Sequence, residues 1–150
     1  MTPEFVQRPS LLLAGVTDCG KDVTEIDIHG LWDVYMRSEP QIPHRIDGCW
    51  YELHVGGEQG HGIYSVTAGA EVSEVAALPV EVSVRVVPAG QYAHFAHCMR
   101  DGGFREVFAR IDAWVKQSGS QAKGFGLQLF DRDFDLDNES SILHIYVPMA

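Results

Sequence analysis

Val-Pro-Ala-Gly-Gln-Tyr-Ala-His-Phe (87–95), Ala-Trp-Val (113–115), Gly-Leu-Gln-Leu-Phe-Asp (126–131) and His-Ile-Tyr-Val-Pro-Met (144–149) are the landmarks of one tract, and its reading decides the fold. The first reads as extended chain. Phe104, Val107, Phe108, Ile111, Trp114 and Val115 then recur at helical spacing, with Gly119 as the stop. Phe125 to Phe130 and Ile142 to Val147 read as strands, separated by a charged loop from Asp131 to Ser141. The order is therefore strand, helix, strand, strand. Upstream, Glu81 to Val87 alternates Val82, Val84 and Val86 against Glu81, Ser83 and Arg85, the pattern of a half-buried strand. Pro88-Ala-Gly then bends it.

The N-terminal part repeats that order. Phe5 to Val16 predicts a strand. Val23 to Arg37 predicts a short helix, with Ile28, Leu31, Trp32, Tyr35 and Met36 on one face and Thr24 or Asp22 as N-cap. Gly30 weakens it by about 1 kcal/mol relative to alanine. Cys49 to Val55 and Gly62 to Val72 predict a hairpin turning at Gly56 to Gly60. The expected fold is α+β: two pseudo-repeated strand-helix-strand-strand units, 1–75 and 76–150, in one domain. Their strands form antiparallel sheet with helices on one face, and a cleft between the halves is the natural ligand site.

Composition narrows the function. The 150 residues suffice for one domain with its own core, at 45% hydrophobic, 21% charged and a mean hydropathy of −0.07. The formal net charge of −10 comes with no basic stripe, which argues against direct nucleic-acid contact. The longest apolar runs, Leu11 to Val16 and Val75 to Val80, are too short to span a bilayer, and no secretory signal opens the chain. Cys19, Cys49 and Cys98 are odd in number and have no C-x-x-C spacing, so a cytoplasmic setting is expected.

Strand parity selects candidate residues. If Leu127 and Leu129 face the helices, Gln128 and Phe130 face the cleft. If Leu143, Ile145 and Val147 take the core face, His144 and Tyr146 lie beside them. Aromatic walls suit planar lipophilic ligands and attract cations by about 0.5–2 kcal/mol. Trp32, Tyr51, Tyr64, Phe95 and Phe104 join the candidates, whereas Phe108 and Trp114 are expected in the core. Glu52 and Glu71 are alternative carboxylates, with Glu52 pointing opposite to Tyr51.

Metal and nucleotide readings fail. His94 and His97 are three apart on a strand and face opposite ways. His54 and His61 flank a glycine loop without a cysteine or carboxylate in support. Asp131, Asp133, Asp135 and Asp137 have the spacing of a calcium loop, but Leu136 and Ile142 stand where it needs glycine and glutamate. No P-loop, dinucleotide fingerprint or nucleophile elbow is present, and no cofactor is expected.

The chain also resembles the GyrI-like effector-binding family, the ligand-sensing domains of multidrug-responsive transcription regulators and their free-standing relatives. Ile28-His-Gly-Leu-Trp32, Trp50-Tyr51, Tyr64 to Val72, Pro88 to Phe95, Trp114, Leu127 to Asp131 and Ile145 to Pro148 carry the resemblance. With no helix-turn-helix segment before the first strand, it is similar to the free-standing members, the integron-cassette drug-binding proteins or the gyrase inhibitor; the Leu31-Trp32 helix and the Tyr-rich second strand favour the integron-cassette group. The resemblance implies a glutamate that meets cationic ligands at position 128, where this chain has Gln128.

The leading expectation is thus non-catalytic binding of a hydrophobic or aromatic small molecule, with weaker cation selectivity than the family. A hydrolase of reactive lipophilic compounds would need Glu52, Glu71 or His144 to replace the missing acid. A protein-interaction module, as the resemblance to a gyrase inhibitor allows, would use the acidic stretch Asp131 to Glu139. A homodimer is left open.

Overall fold

The computed structural model describes residues 1–56, 62–119 and 124–150. The turn expected at 56–60 and the ring of His61 therefore lie outside the described residues, apart from Gly56. Eight strands form one antiparallel sheet: β1 (Glu4–Arg8), β2 (Leu11–Gly20), β3 (Cys49–Val55), β4 (Tyr64–Val72), β5 (Ser83–Val87), β6 (Gly90–Cys98), β7 (Phe125–Asp131) and β8 (Ile142–Pro148). Two helices, α1 (Ile28–Ser38) and α2 (Phe104–Ser118), pack on one face. The α+β architecture is as the sequence implies.

The sheet order is β1-β6-β8-β7-β3-β4-β2-β5. Adding four to each strand number of the first half yields the same order read backwards, so the halves are related by a pseudo-two-fold axis between β3 and β7. The registers obey it too, with Arg8 opposite Gly90 and Leu11 opposite Val87. The repeat is more interlocked than two adjacent units, because each half lends its first strand to the other: β1 pairs with β6, and β5 pairs with β2.

The expected first strand is broken into β1 and β2 at Pro9-Ser10, just as Pro88-Ala89 separates β5 from β6. Proline lacks the N–H a ladder requires. These short links draw the two outer edges of the sheet together, so the sheet curls.

The helix expected over Val23 to Arg37 begins only at Ile28. Asp22 caps a single 3-10 turn, Val23–Glu25, by accepting from the Thr24 N–H at 2.9 Å. Asp27 caps α1, accepting from the Gly30 N–H at 3.0 Å. A Cβ on residue 30 would lie 2.4 Å from Asp27 Oδ2, which gives the glycine a local purpose. The α2 helix ends as expected on Gly119, left-handed at φ 67°.

Both faces of the sheet are covered. On the helix face, Leu31 and Tyr35 of α1 pack on Ala14, Val16, Val66 and Ala68, while Val107 and Ile111 of α2 pack on Ala93, Phe95, Leu143 and Ile145. Each fully buried aliphatic contributes about 1.5–3 kcal/mol, so an Ile111→Asp change would release α2 from the sheet. Phe108 and Trp114 pack half-buried against the same cluster. The opposite face, inside the curl, holds a third cluster of Leu11, Leu13, Tyr51, Leu53, Val87 and Leu127. Among the described residues no helix is long and apolar enough to cross a membrane.

Candidate functional site

Alternation along β3 sets Trp50, Glu52 and His54 on the helix face. Antiparallel β7 places Phe130 opposite Trp50, Gln128 opposite Glu52 and Gly126 opposite His54. Glu52 and Gln128 are 6% and 4% exposed, so a carboxylate and an amide stand side by side nearly out of water. A buried carboxylate is tolerated only when donors or a cation satisfy it.

Two side chains converge on Glu52. The Trp32 indole N–H of α1 donates to Oε2 at 3.1 Å, and Oε1 lies 3.0 Å from His54 Nε2. The other ring nitrogen of His54, Nδ1, meets the Tyr64 hydroxyl at 2.7 Å, and Gln128 Nε2 comes within 3.0 Å of His54 Nε2. The result is a chain from phenol to imidazole to carboxylate to indole, drawn from β4, β3 and α1. Burial pushes the Tyr64 phenol up, and the Glu52 and Asp112 carboxylates add to that, so the hydroxyl keeps its proton.

A cleft of about 930 Å³ opens over Glu52. Ile28, Trp32 and Met36 of α1 form one wall; Phe104, at the start of α2, and Phe130 and Phe134 form another; Trp50 and Glu52 lie between. Trp32 meets Phe130 edge-on at 6.0 Å, and Phe130 meets Phe134 edge-on at 4.9 Å. Trp50 is held by its indole N–H, which donates to Glu39 Oε2 at 2.9 Å. Asp33, Asp133, Asp135 and Asp137 also line the cleft, against Arg132 and His29.

Several sequence-predicted residues meet here: Trp32, Phe104 and Phe130 line the cleft, and Gln128 and Tyr64 belong to the polar chain beside it. Others do not. Phe95, 1% exposed, is core beneath α2, and Tyr51, 4% exposed, is core inside the curl.

The expected grouping of Gln128 and Phe130 with His144 and Tyr146 is corrected. The β7–β8 register sets Leu127 opposite Tyr146, Gln128 opposite Ile145 and Leu129 opposite His144. Gln128 thus shares the helix face with Ile145, while Leu127 and Leu129 face into the curl with Tyr146 and His144. The cause is that both faces of this sheet are apolar, so leucines mark neither. His144 instead stacks on His94 with ring centroids 5.1 Å apart, its Nδ1 2.9 Å from His94 Nε2. Tyr146 stacks on His94 at 4.6 Å and lies under the Arg8 guanidinium at 4.1 Å.

Glu52 was visible in the sequence as an alternative carboxylate, and its opposite sense to Tyr51 holds. Trp50, Met36, Phe134 and Leu136 were missed as cleft residues. Trp50 had a usable signal, since it shares strand parity with Glu52. Phe134 and Leu136 sit in a loop without periodicity and had none. The spaced aspartates of that loop serve local turns, Asp131 and Asp135 accepting from the N–H of Asp133 and Asp137.

A family model described as integron-associated effector binding protein matches residues 4–149. The chain belongs to that family. The effector-binding fold recurs in SAV2435 bound to tetraphenylphosphonium, 17% identical with a TM-score of 0.78, over 100% of this chain and 94% of that one. It recurs in an integron cassette protein from the mobile metagenome of Vibrio cholerae, 15% identical, TM-score 0.65, over 99% and 96%. A hydrolase from Listeria innocua shares it at 11% identity, TM-score 0.57, over 99% and 92%. No curated protein matches in sequence. The family's description makes effector binding the class to which this chain belongs.

Proposed function

We propose that this effector-binding protein takes a hydrophobic or aromatic small molecule into the cleft over Glu52, with a preference for a positive charge that is weaker than a lone carboxylate would impose. One observation carries the reading: a carboxylate only 6% exposed lines a cleft rich in aromatic side chains. A buried charge attracts an opposite one strongly because little water competes. Aromatic faces add to that attraction, and the aspartates lining the cleft favour entry of cations. The preference is moderated because Glu52 already has Trp32 and His54 as partners, and because position 128 adds an amide rather than a second charge.

The test is a titration with two probes of similar shape, tetraphenylphosphonium and neutral triphenylphosphine oxide, followed by Trp32 and Trp50 fluorescence. Both are expected to bind, the cation more tightly. Glu52→Gln is expected to cut cation affinity about tenfold and leave the neutral probe nearly unchanged. Equal losses for both probes, or none, would remove Glu52 from the site.

A second reading is favoured by the hydrogen-bonded Glu52–His54 pair, which has the form of a general base with an orienting partner. In it Glu52 accepts a proton from a water that attacks an electrophilic ligand. Product detected by mass spectrometry after incubation with reactive lipophilic esters or epoxides would support hydrolysis, and binding without product would dismiss it for those compounds. The free state of Cys19, Cys49 and Cys98 supports work in a reducing cytoplasm. A protein partner on the acidic loop competes with the place of Asp133, Asp135 and Asp137 along the cleft.

A further inference from the structure

We infer that His54 sets the charge this cleft demands of its ligand: its imidazole competes with a bound cation for Glu52, so that uptake of a cation expels a proton from His54. The inference rests on the effector-binding reading and deepens it by naming a specificity-determining residue.

Geometry makes the competition direct. Among the described residues, His54 is the one ion-pair partner of Glu52, at 3.0 Å, and their side chains are 14% and 8% exposed. Glu52 faces the cleft on one side and the imidazole on the other. An imidazole carries one ring proton or two. With one, the Tyr64 hydroxyl donates to Nδ1, Nε2–H donates to Glu52, and the pair holds one negative charge. With two, Nδ1–H donates to the Tyr64 oxygen, Nε2–H still donates to Glu52, and the pair is neutral.

Both states leave the two ring nitrogens and the phenol hydroxyl partnered, because a phenol hydroxyl can turn from donor to acceptor. That adaptability is the device: Tyr64 permits either charge state without an unsatisfied buried group. Gln128, whose Nε2 lies 3.0 Å from His54 Nε2, adds no charge in either state.

The remaining neighbours leave the choice to Glu52 and the ligand. The ionisable groups facing the ring are Glu52 on its own strand, Tyr64 on β4 and, beyond Tyr64, Asp112 on α2. From β7 come Gln128 and Gly126, and from α1 the Trp32 indole, all uncharged. A cation entering over Glu52 and a proton entering His54 therefore satisfy the same carboxylate, and each weakens the other by the same factor.

Calorimetric titration of tetraphenylphosphonium into the full chain, in two buffers of different ionisation enthalpy, reads the proton directly. Proton release is expected with tetraphenylphosphonium and none with triphenylphosphine oxide. Cation affinity is expected to rise about tenfold from the acid to the alkaline end of a pH series, and the affinity of the neutral probe to stay level. In His54→Gln both the proton release and the pH slope for the cation should disappear. Equal proton counts for the two probes in the unaltered protein would overturn the inference, even if the variant cannot be obtained folded. A folded His54→Gln protein that keeps the full slope would overturn it as well. Failure of both probes to bind would remove the effector-binding reading together with the inference.

Discussion

Glu52 and Gln128 stand directly opposite each other across the β3–β7 ladder, and His54 Nε2 lies 3.0 Å from both side chains. They are equivalent positions under the pseudo-two-fold that relates the halves. Resemblance to the GyrI-like family implies the acid on β7. In this chain an acid is found one strand over, on the matching strand of the other half.

That relationship limits what restoring an acid at 128 can achieve. Gln128→Glu is expected to raise affinity for tetraphenylphosphonium at the lower end of about 1–3 kcal/mol. The added charge also favours a second proton on His54, which cancels part of the gain, so the benefit should shrink as pH falls. Calorimetry at two pH values checks this. No gain at either pH would mean that Gln128 does not act on the ligand.

Opposite-face residues serve as a control on strand parity. Tyr146→Phe and His144→Gln are expected to leave the affinity for both probes within about twofold, since these rings point into the curl. A tenfold loss in either would show that the ligand reaches that face.

Acid should destabilise the fold through His94. Burial holds its imidazole below the ordinary value of 6.5, and the neighbouring His144 adds to that. The unfolded chain takes up a proton near 6.5 and the folded chain only at lower pH, so protons favour unfolding. This contribution is whole above 6.5 and is lost as pH falls through the interval below it. Urea melts at several pH values should show a declining midpoint there, and a shallower decline in His94→Asn. An identical slope in the variant would assign the acid sensitivity elsewhere.

Gly30→Ala should fail to stabilise the protein. Helix propensity favours alanine by about 1 kcal/mol, but its methyl group would meet Asp27 Oδ2 at 2.4 Å and displace a cap worth a similar amount. In an Asp27→Ala background, where there is no cap to lose, the same change should raise Tm. A clear rise in the unaltered background would mean that the cap can re-form around the methyl group.

Much of the architecture was legible because the relevant signals are local. The α2 stripe from Phe104 to Val115, the Gly119 stop, the β3–β4 hairpin and the bend at Pro88 all depend on residues a few positions apart, whereas the break at Pro9-Ser10 falls within the single strand expected from Phe5 to Val16. The exchange of first strands between halves was not legible, since it depends on pairing between Arg8 and Gly90 and between Leu11 and Val87, far apart in sequence. Within the site, Trp32, Phe104 and Phe130 could be picked as aromatics on regular elements. Phe134 and Leu136 reach the cleft from a loop, whose course follows from packing rather than from a repeat.

By itself, the sequence determined the order of elements and the double unit, because hydrophobic period and turn chemistry act within each segment; its match to a family model over residues 4–149 determined the membership in an effector-binding family. Only the tertiary structure decided which side of β7 and β8 meets a ligand. Alternation divides a strand into two sets of residues but labels neither as outward, and in a curled sheet buried on both faces the apolar pattern cannot supply the label. The register did so, joining Gln128 to Glu52 and His54 and sending His144 and Tyr146 to the other side.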